Sequence, residues 1–584
     1  MSDITVGAYL LRRLRELNIE HLFGVPGDYN LGFLDQVLDS PGQTWVGNCN
    51  ELDAAYAADG YARLRGAAAL VTTFGVGELS AVNGVAGSYA ESVPVVAVTG
   101  MPATAVAAAG GWVHHTLMDG EYDHFGRMFA EVTVDRATLS AASAADLAAA
   151  PAQIDRVLRA MLRHSKPVHL NLPTDVVLAR VPAPDGPLIA AGVEEATEPA
   201  LLRAFLDDSA RLLDGARTVT VLAGHEAERY GQREPLGELL AAAPVRAAVF
   251  SSGKGVVDET APGFAGVYTG EFSQKAARAA VEDADCLILV GALATDSVTG
   301  GFSHHFTAGR TIDLRPYGAS VGRAGYDGVR MADAVAGLTG LLREAGLPEP
   351  AGYGRPAGCG RPAEYGRSAG YGRPAGEAVT RTAAEPESLT QRQLWASIEA
   401  FLPPRSVFLA EQGTSFFGGQ EVPLPADGRF VGQPMWGSIG YTLPAALGTQ
   451  LAAPDRRSVL VIGDGSLQLT AQELGTMTRY GASPVIVVIN NDGYTVERAI
   501  HGATASYNDI AAWDYTALPA AFGGGDRAVA VRAETPAQLA DALALAARTP
   551  DKLVLIEAVL SRDDAPELLT ALAGRFAAQN DYGA

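Results

Sequence analysis

The residues with the clearest chemical potential are oxygen ligands that follow two apolar runs in the C-terminal part of the chain. Asp464 stands in the glycine-bordered segment 463–466, and Asn491 and Gly493 stand in segment 490–494. A carboxylate, an amide oxygen and a backbone carbonyl are hard ligands of the kind that Mg²⁺ binds octahedrally, with diphosphate oxygens and water completing the shell. The spacing therefore predicts a magnesium diphosphate site with Asp464, Asn491 and Gly493 as the metal ligands.

The elements that position these ligands are predicted from the spacing of apolar residues. Val459–Ile462 and Val485–Ile489 are short apolar runs typical of buried strands, and Leu467–Arg479 has helical spacing without proline. A glycine turn between strand and helix offers free backbone N–H groups to an anion, and the helix dipole favours negative charge there. We therefore expect Gly465 and Ser466, beside Asp464, to contact the diphosphate.

Glu51 is a second candidate, in an apolar setting after the strand end Trp45-Val46. One interpretation is structural, because a glutamate in the first turn of a helix is stabilised by the helix dipole. The other is functional, because a carboxyl group removed from water can hydrogen-bond to and protonate a heteroaromatic nitrogen. The residues alone leave both interpretations open.

Composition excludes several classes of protein. The 584 residues suggest several domains, and 48% hydrophobic with 19% charged residues is typical of a soluble globular protein. The formal charge of −22 argues against nucleic acid as a partner. The three cysteines are scattered, the N-terminus lacks a secretion signal, and no apolar run reaches membrane-spanning length. We expect a cytoplasmic protein without membrane contact.

The chain divides into three blocks in which short apolar strands alternate with helical segments. This alternation predicts an α/β fold of three doubly wound parallel-sheet domains. The middle block shows no GxGxxG fingerprint, so a structural role is favoured over flavin binding. A Gly/Pro/Arg repeat at 353–376 predicts a flexible linker, although an arginine-rich repeat that binds an acidic partner is an alternative. The predicted boundaries are 1–185, 195–345, the linker 346–388, 389–560, and a C-terminal helix and tail over 561–584.

Several segments together resemble the thiamine-diphosphate-dependent 2-keto acid decarboxylases, the family of pyruvate, indolepyruvate, phenylpyruvate and branched-chain 2-keto acid decarboxylases. The resemblance rests on the motif 464–493, Glu51 in its setting, Phe23–Asn30 and the pair His114-His115. It covers nearly the whole chain except the linker. The stretches closest to branched-chain and aromatic members are 411–418, 433–441 and 490–502.

The resemblance implies thiamine diphosphate and Mg²⁺ as cofactors, with a pyrimidine-binding, a middle and a diphosphate-binding domain in that order. Glu51 would protonate the aminopyrimidine ring, Ile439 would hold the cofactor in a V shape, and the Gly437 carbonyl would orient the pyrimidine amino group. Such pinning raises the effective concentration of the reacting groups. The implied cofactor-binding set is Glu51, Thr73, Thr414, Gly437, Ile439, Asp464, Gly465, Ser466 and Asn491.

The resemblance also implies four polar active-site residues besides Glu51, namely Asp28, His114, His115 and Glu497. Imidazole suits proton transfer near neutral pH. The second pair, His304-His305, is assigned no catalytic role, because adjacent histidines are more often surface or core residues. The implied substrate pocket is Gln412, Phe416, Phe417, Val496 and Ile500, with the predicted helix Ala565–Ala578 as a cap.

The predicted activity is the non-oxidative decarboxylation of branched-chain or aromatic 2-keto acids to aldehydes and CO₂, through the ylide of thiamine diphosphate. The family implies a homodimer or homotetramer with active sites between subunits. One alternative is a thiamine-dependent carboligase of the acetohydroxyacid synthase type. The other is a catalytically silent cofactor-binding protein.

Overall fold

The computed structural model describes residues 3–189, 196–349 and 388–580. The repeat at 353–376 and nearly all of the predicted linker lie outside the described residues. Within the described ranges, no helix combines the length and the apolar character needed to cross a bilayer.

The first domain is built on a six-stranded parallel sheet. Its strands, in spatial order, are Thr44–Gly47, His21–Gly24, Ala68–Thr73, Val95–Met101, Val168–Pro173 and Arg136–Thr138. Helices cover both faces: Val6–Glu16, Leu31–Leu38, Glu51–Arg65, Val76–Ala90, Thr104–Ala108, His124–Ala130, Ala144–His164 and Thr174–Val177. A small antiparallel pair, Asp3–Thr5 with Arg180–Pro182, closes this domain.

The third domain repeats this topology, because its six parallel strands follow the same spatial order. In that order they are Arg429–Val431, Val407–Ala410, Ser458–Gly463, Val485–Asn490, Leu553–Val559 and Ala528–Ala533. Its α-helices are Gln391–Phe401, Thr414–Gly419, Thr442–Ala452, Asp464–Thr470, Glu473–Arg479, Thr495–Ile500, Leu518–Ala521 and Pro536–Arg548, followed by the C-terminal helix Glu567–Gln579. Short 3₁₀ turns are Ser506–Asn508, Tyr515–Ala517 and Gly525–Arg527.

The middle domain has a seven-stranded sheet that is not wholly parallel, so the prediction of a parallel sheet was wrong at one edge. Its strands, in spatial order, are Phe264–Val267, Arg246–Val249, Val219–Ala223, Cys286–Val290, Thr311–Arg315, Gly318–Val321 and Ala324–Asp327. The last three are joined by two-residue connections, which are too short for a parallel crossover and allow only antiparallel hairpins. Its helices are Pro199–Leu213, His225–Arg229, Arg233–Ala242, Lys275–Glu282 and Met331–Glu344, with 3₁₀ turns Ser251–Gly253 and Ala308–Arg310.

The structure also differs from the sequence prediction at the helix predicted over Leu467–Arg479. The structure has two helices there, Asp464–Thr470 and Glu473–Arg479, and the first begins at Asp464 itself. The earlier start is stabilised locally, because the Asp464 carboxylate accepts the Gly465 N–H at 2.8 Å. Asp464 therefore lies in the first turn of a helix, where the dipole favours an anion.

The first and third domains pack through two closely crossing helices, Glu51–Arg65 and Thr442–Ala452. Close approach requires glycine at the crossing: a Cβ on Gly448 would lie 1.9 Å from the Ala57 carbonyl oxygen, and one on Gly60 would lie 2.4 Å from that of Ala445. One buried apolar cluster spans both domains. This contact fixes the Glu51 helix relative to the third domain of the same chain.

Candidate cofactor and active site

Both repeated sheets have their topological switch point between the second and third strands in spatial order. In open α/β sheets, ligands bind at the carboxyl ends of the strands at this point. In the third domain these strands end at Ala410 and Gly463, and Gln412 and Asp464 follow them. In the first domain they end at Gly24 and Thr73, and Asp28 follows the former. The topology thus forms two half-sites, one on each domain.

The metal half-site on the third domain is organised around Asp464, whose side chain is almost fully buried. Its Oδ2 atom accepts the backbone N–H groups of Asn491 at 3.2 Å and Gly493 at 3.1 Å. One carboxylate therefore fixes the turn that carries the other two predicted ligands. The Gly493 backbone has φ 120°, a conformation that favours glycine. Its carbonyl accepts the Thr495 N–H at 3.1 Å and keeps a second lone pair.

The electrostatics of this half-site favour a cation. Burial raises the pKa of Asp464 to about 6, despite the N–H groups that lower it. A buried carboxylate gains most from a bound positive charge, and carboxylate, amide and carbonyl oxygens together form a hard donor set. The residues present therefore fit Mg²⁺.

The cofactor-positioning segment 437–440 lies against the Asp464 helix. The Thr470 hydroxyl donates to the Gly440 carbonyl at 2.9 Å, and Gly437 adopts φ 70°. A Cβ on Gly437 would contact the Gln412 side chain at 4.0 Å. Ile439 in this segment is half-buried.

Glu411 is a positioning residue without an assigned role in the sequence analysis. It is fully buried, and its carboxylate accepts the Thr442 N–H at 3.0 Å and the Thr442 hydroxyl at 2.7 Å. Burial raises its pKa to about 7. The carboxylate ties the strand end before Gln412 to the helix that follows segment 437–440. Its signal in the sequence is an acidic residue directly after the apolar run 407–410.

The acid/base half-site on the first domain contains Asp28, His114 and His115. His114 Nε2 lies 2.8 Å from Asp28 Oδ2, and the His114 and His115 rings meet edge-on with centroids 4.6 Å apart. Tyr29 stacks on His114 at 5.1 Å. Consecutive side chains reach one site because His115 adopts φ 67°. Its carbonyl oxygen approaches Gly75 so closely that a Cβ there would lie 2.0 Å away.

Glu51 begins its helix, with Asn50 as the N-cap, which agrees with the structural interpretation. Burial nevertheless desolvates its carboxyl group, and this desolvation raises the pKa of Glu51. Its Oε1 would lie 3.1 Å from a Cβ on Gly77, which in turn would lie 3.2 Å from Thr73 Cγ2. Glu51 and Thr73 thus line one space, and the raised pKa favours the functional interpretation.

Buried polar atoms without hydrogen-bond partners coincide with predicted site residues. Within the described part of the chain they include Thr73 Oγ1, His115 Nδ1 and Gln412 Oε1. Buried polar atoms are normally paired, so atoms left unpaired at each half-site are free to bind a polar ligand. This observation, with the donor set at Asp464, shows that the residues present fit the predicted cofactor.

Two of the residues predicted for the substrate pocket lie beneath the C-terminal helix. Phe417 packs in one cluster with three leucines of that helix, and Val496 packs against the cluster. A Cβ on Gly413, next to Thr414, would lie 3.6 Å from Val496 Cγ2, which brings these segments together. Phe416 is buried, whereas Ile500 is half-buried and Glu497 is exposed on the short helix Thr495–Ile500.

No direct polar contact joins the two half-sites within the described part of one chain. Over residues 3–189, 196–349 and 388–580, no hydrogen bond or ion pair links Glu51, Asp28 or the His114-His115 pair to Asp464, Asn491 or Glu497. The contacts between these domains lie elsewhere. The Cys49 N–H donates to Glu473 Oε1 at 2.8 Å, and the hydroxyls of Tyr56 and Ser438 are 2.6 Å apart.

One of these contacts is a buried pair of carboxyl groups, Asp53 and Glu473, both fully buried. Gln472 donates to Asp53 Oδ2 at 2.6 Å. Burial, and then the neighbouring Glu473, raise the pKa of Asp53 to about 8, and burial also raises the pKa of Glu473. Asp53 therefore carries a proton near neutral pH. Spacing along the sequence does not reveal this pair, because only the fold brings residue 53 to residue 473.

This pair predicts a specific pH dependence of stability. A carboxyl group with a raised pKa stabilises the fold fully below its unfolded pKa, near 4, and loses that contribution as the pH rises through its folded pKa, about 8 for Asp53. The free energy of unfolding should fall by at most about 1.4 kcal/mol per pH unit for each proton involved. Asp53→Asn should flatten the decline in Tm between pH ~5 and ~8, measured by calorimetry.

The matched control is Asp35→Asn, on an exposed face of the same domain. It should leave the slope of Tm against pH as in the unmodified protein. If Tm declines with the same slope in Asp53→Asn and in the unmodified protein, the prediction that Asp53 carries a proton near neutral pH is wrong.

Family models agree with this architecture. The thiamine pyrophosphate enzyme N-terminal domain matches residues 4–125, the central domain 206–340, and the C-terminal domain 413–558. Alpha-keto-acid decarboxylases are close relatives. That of Mycobacterium leprae (strain TN) is 46% identical over 97% of this chain and 95% of that protein. That of Mycobacterium tuberculosis (strain H37Rv) is 46% identical over 98% of both.

A solved structure shows the same fold. The thiamine diphosphate-dependent 4-hydroxybenzoylformate decarboxylase of Rhodococcus jostii RHA1 superimposes with a TM-score of 0.73, at 20% identity, over 96% of this chain and all of that one. The three domain matches, together with relatives that span nearly the full length, lead to one assignment: the chain belongs to the thiamine pyrophosphate enzyme family.

Proposed function

We propose that this protein decarboxylates 2-keto acids without oxidation, releasing CO₂ and an aldehyde, with thiamine diphosphate and Mg²⁺ as cofactors. The observation that carries the proposal is the pairing of two half-sites in one fold: the oxygen ligands around Asp464 and the acid/base group Asp28–His114–His115. The relatives named alpha-keto-acid decarboxylases, 46% identical over almost the whole chain, support it.

In this proposal Asp464, Asn491 and Gly493 hold the metal, and the first turn of the Asp464 helix, at Gly465 and Ser466, faces the diphosphate. Bound there, thiamine diphosphate would supply a nucleophilic carbon and a sink for the electrons of the departing carboxylate. Glu51 would hold a proton at the pyrimidine ring, a task that suits a carboxyl whose pKa is raised by burial.

The protons of the reaction would pass through the first-domain half-site. The hydrogen bond between Asp28 and His114 orients one imidazole. An imidazole can both deliver and accept a proton near neutral pH. Glu497, exposed at the mouth of the third-domain half-site, would be a further acid.

The test is aldehyde release from a panel of 2-keto acids with added thiamine diphosphate and Mg²⁺. Aldehyde equal to the CO₂ formed supports the proposal. Acetolactate from pyruvate without acetaldehyde would show a carboligase instead. Cofactor binding without any turnover would show a silent cofactor-binding protein.

The substrates proposed are branched-chain or aromatic 2-keto acids. Support comes from the apolar side chains of Phe417 and Val496, which pack under the C-terminal helix, and from the buried ring of Phe416 beside Phe417. Val496 is one methylene smaller than isoleucine, which leaves room for a large substrate side chain.

A change at Val496 should therefore alter specificity. Val496→Ile is expected to lower kcat/KM for phenylpyruvate relative to pyruvate by about 10-fold, because one methylene changes discrimination by about 1–3 kcal/mol. The matched control is Val267→Ile, a half-buried valine of the middle sheet. An unchanged ratio in Val496→Ile would remove Val496 from the substrate pocket.

The active unit proposed is a homodimer or homotetramer in which Glu51 of one subunit meets the Asp464 half-site of another. The absence of a direct polar contact between the half-sites, over the described residues of one chain, is compatible with this arrangement. Large apolar side chains are also exposed beside both halves: Val76 is 55% exposed near Glu51, and Leu469 is 51% exposed on the Asp464 helix. Exposed apolar groups beside an incomplete site indicate a covering partner.

Two further parts of the proposal concern the cellular location of the protein and its domain boundaries. Cytoplasmic localisation is supported by the free thiols Cys49 and Cys286. The domain boundaries 1–185, 195–345 and 389–560 are supported by the position of each sheet within one of these ranges.

A further inference from the structure

The acid/base half-site is also a group of metal-ligating side chains. In Asp28, His114 and His115, one ligand atom from each residue lies within 4.8 Å of the other two. A shift of exposed side chains is enough to bring such atoms to the distances of metal ligands, about 2.0–2.2 Å from Zn²⁺. Asp28 and His114 are exposed, so their side chains are free to make this adjustment.

The third member adds an unsatisfied ligand. His115 Nδ1 is buried and has no hydrogen-bond partner among the described residues. A buried ring nitrogen with a free lone pair loses the hydrogen bond that water would provide, and binding a metal ion would compensate for that loss. The only nearby polar neighbour of His114 Nδ1 is the Tyr29 hydroxyl at 3.4 Å, a long hydrogen bond within the described contacts.

The backbone holds this group in place. The left-handed conformation of His115 turns both imidazoles to one side, and the close approach of Gly75 to the His115 carbonyl keeps the loop against the domain. Tyr122 donates its hydroxyl to the Gly111 carbonyl at 2.8 Å, which anchors the same loop. The backbone of the loop is therefore already ordered, and the remaining adjustment falls on the exposed side chains of Asp28 and His114.

The chemistry of the ligands selects the ion. Two imidazoles and one carboxylate suit Zn²⁺ and similar transition-metal ions, with open positions left for water or substrate. The oxygen ligands at Asp464, Asn491 and Gly493 instead suit Mg²⁺. The protein thus carries two metal-ligand sets of different hardness, one on each domain.

We propose that Asp28, His114 and His115 form an inhibitory binding site for a divalent transition-metal ion, with Zn²⁺ as the preferred ion. Metal binding occupies the imidazole lone pairs that accept protons, so the bound ion blocks proton transfer. Binding depends only on these three side chains, whereas the inhibition rests on the proposed function.

The test is calorimetric titration of the full-length protein with Zn²⁺, after saturation with thiamine diphosphate and Mg²⁺ to fill the Asp464 half-site. One Zn²⁺ per subunit is expected. Asp28→Asn and His114→Asn change exposed side chains, and each should weaken Zn²⁺ binding by at least about 10-fold, the loss seen even for residues that only support a metal ligand. Co²⁺ bound in place of Zn²⁺ should give a visible absorption band that both variants lose.

The chain offers a matched control in its second histidine pair. The double variant His304→Asn/His305→Asn should bind Zn²⁺ as tightly as the unmodified protein. The proposal is overturned if Asp28→Asn and His114→Asn bind Zn²⁺ unchanged, or if the 304–305 variant loses the binding.

Activity measurements then test whether bound Zn²⁺ inhibits the enzyme. Zn²⁺ should suppress aldehyde release, and a chelator should restore it. Zn²⁺ bound through Asp28 and His114 with full activity retained would overturn the inhibition. If no 2-keto acid yields aldehyde but Zn²⁺ binding depends on these residues, the site stands and the proposed function fails.

Discussion

Replacing Glu51 by glutamine is expected to lower aldehyde release by about 100- to 10,000-fold, the usual contribution of a general acid or base. Glutamine keeps the size and the hydrogen-bonding capacity of the side chain but cannot give up or take a proton. The burial that raises the Glu51 pKa is the property that makes it useful as a proton donor. The measurements are kcat and KM with a 2-keto acid, together with calorimetric titration of thiamine diphosphate in the presence of Mg²⁺.

Binding of thiamine diphosphate should change much less than kcat, because Asp464 and its neighbours are intact. Glu567→Gln is the matched control, since Glu567 also occupies the first turn of a helix but is exposed. It tests the structural interpretation, in which any glutamate at a helix start acts through the dipole. Turnover by Glu51→Gln at the rate of the unmodified enzyme would refute the proton-donor role.

Replacing Asp464 by asparagine is expected to weaken Mg²⁺-dependent binding of thiamine diphosphate by at least about 100-fold, because residues that merely support a metal ligand already contribute about 10- to 100-fold. The substitution removes the charge of the metal ligand. It also presents an amide N–H₂ toward the backbone N–H groups of Asn491 and Gly493. In the unmodified protein these N–H groups donate to Asp464 Oδ2. Titration of the cofactor with and without Mg²⁺ measures the effect.

Asp492→Asn is the control for Asp464→Asn. It removes the same charge from the adjacent turn, where Asp492 is exposed and adopts φ 60°, a conformation that asparagine tolerates. Asp492→Asn should bind the cofactor normally. Equal affinity in Asp464→Asn and the unmodified protein would show that the metal is held elsewhere.

The same two variants test the subunit arrangement. When inactive Glu51→Gln and Asp464→Asn chains are unfolded and refolded together, a site formed across subunits can combine an intact Glu51 with an intact Asp464. Random pairing of equal amounts should restore about a quarter of the activity, since half of the dimers are mixed and each has one complete site. A site formed within one chain would give no recovery. Each variant refolded alone is the control.

The sequence predicted the two strands that carry the predicted metal ligands within one residue at each end, because buried parallel strands are uninterrupted apolar runs bounded by turn residues. It was less accurate where the apolar pattern alone does not define an element. The helix after Gly463 begins at Asp464 because its own carboxylate binds the Gly465 N–H, and it is interrupted after Thr470. The hairpins at the edge of the middle sheet followed from two-residue connections that the apolar pattern does not reveal.

The sequence by itself determined the ligand types and the strand ends that carry them, since Asp464, Asn491 and Gly493 lie close along the chain and directly follow two buried strands. Only the tertiary structure decided which distant groups meet. It placed Asp28 beside His114 and paired Asp53 with Glu473. The physical reason is the distance along the chain over which each effect acts. Periodicity and turn chemistry act over a few residues. Burial, pKa shifts and site assembly depend on contacts between residues hundreds of positions apart.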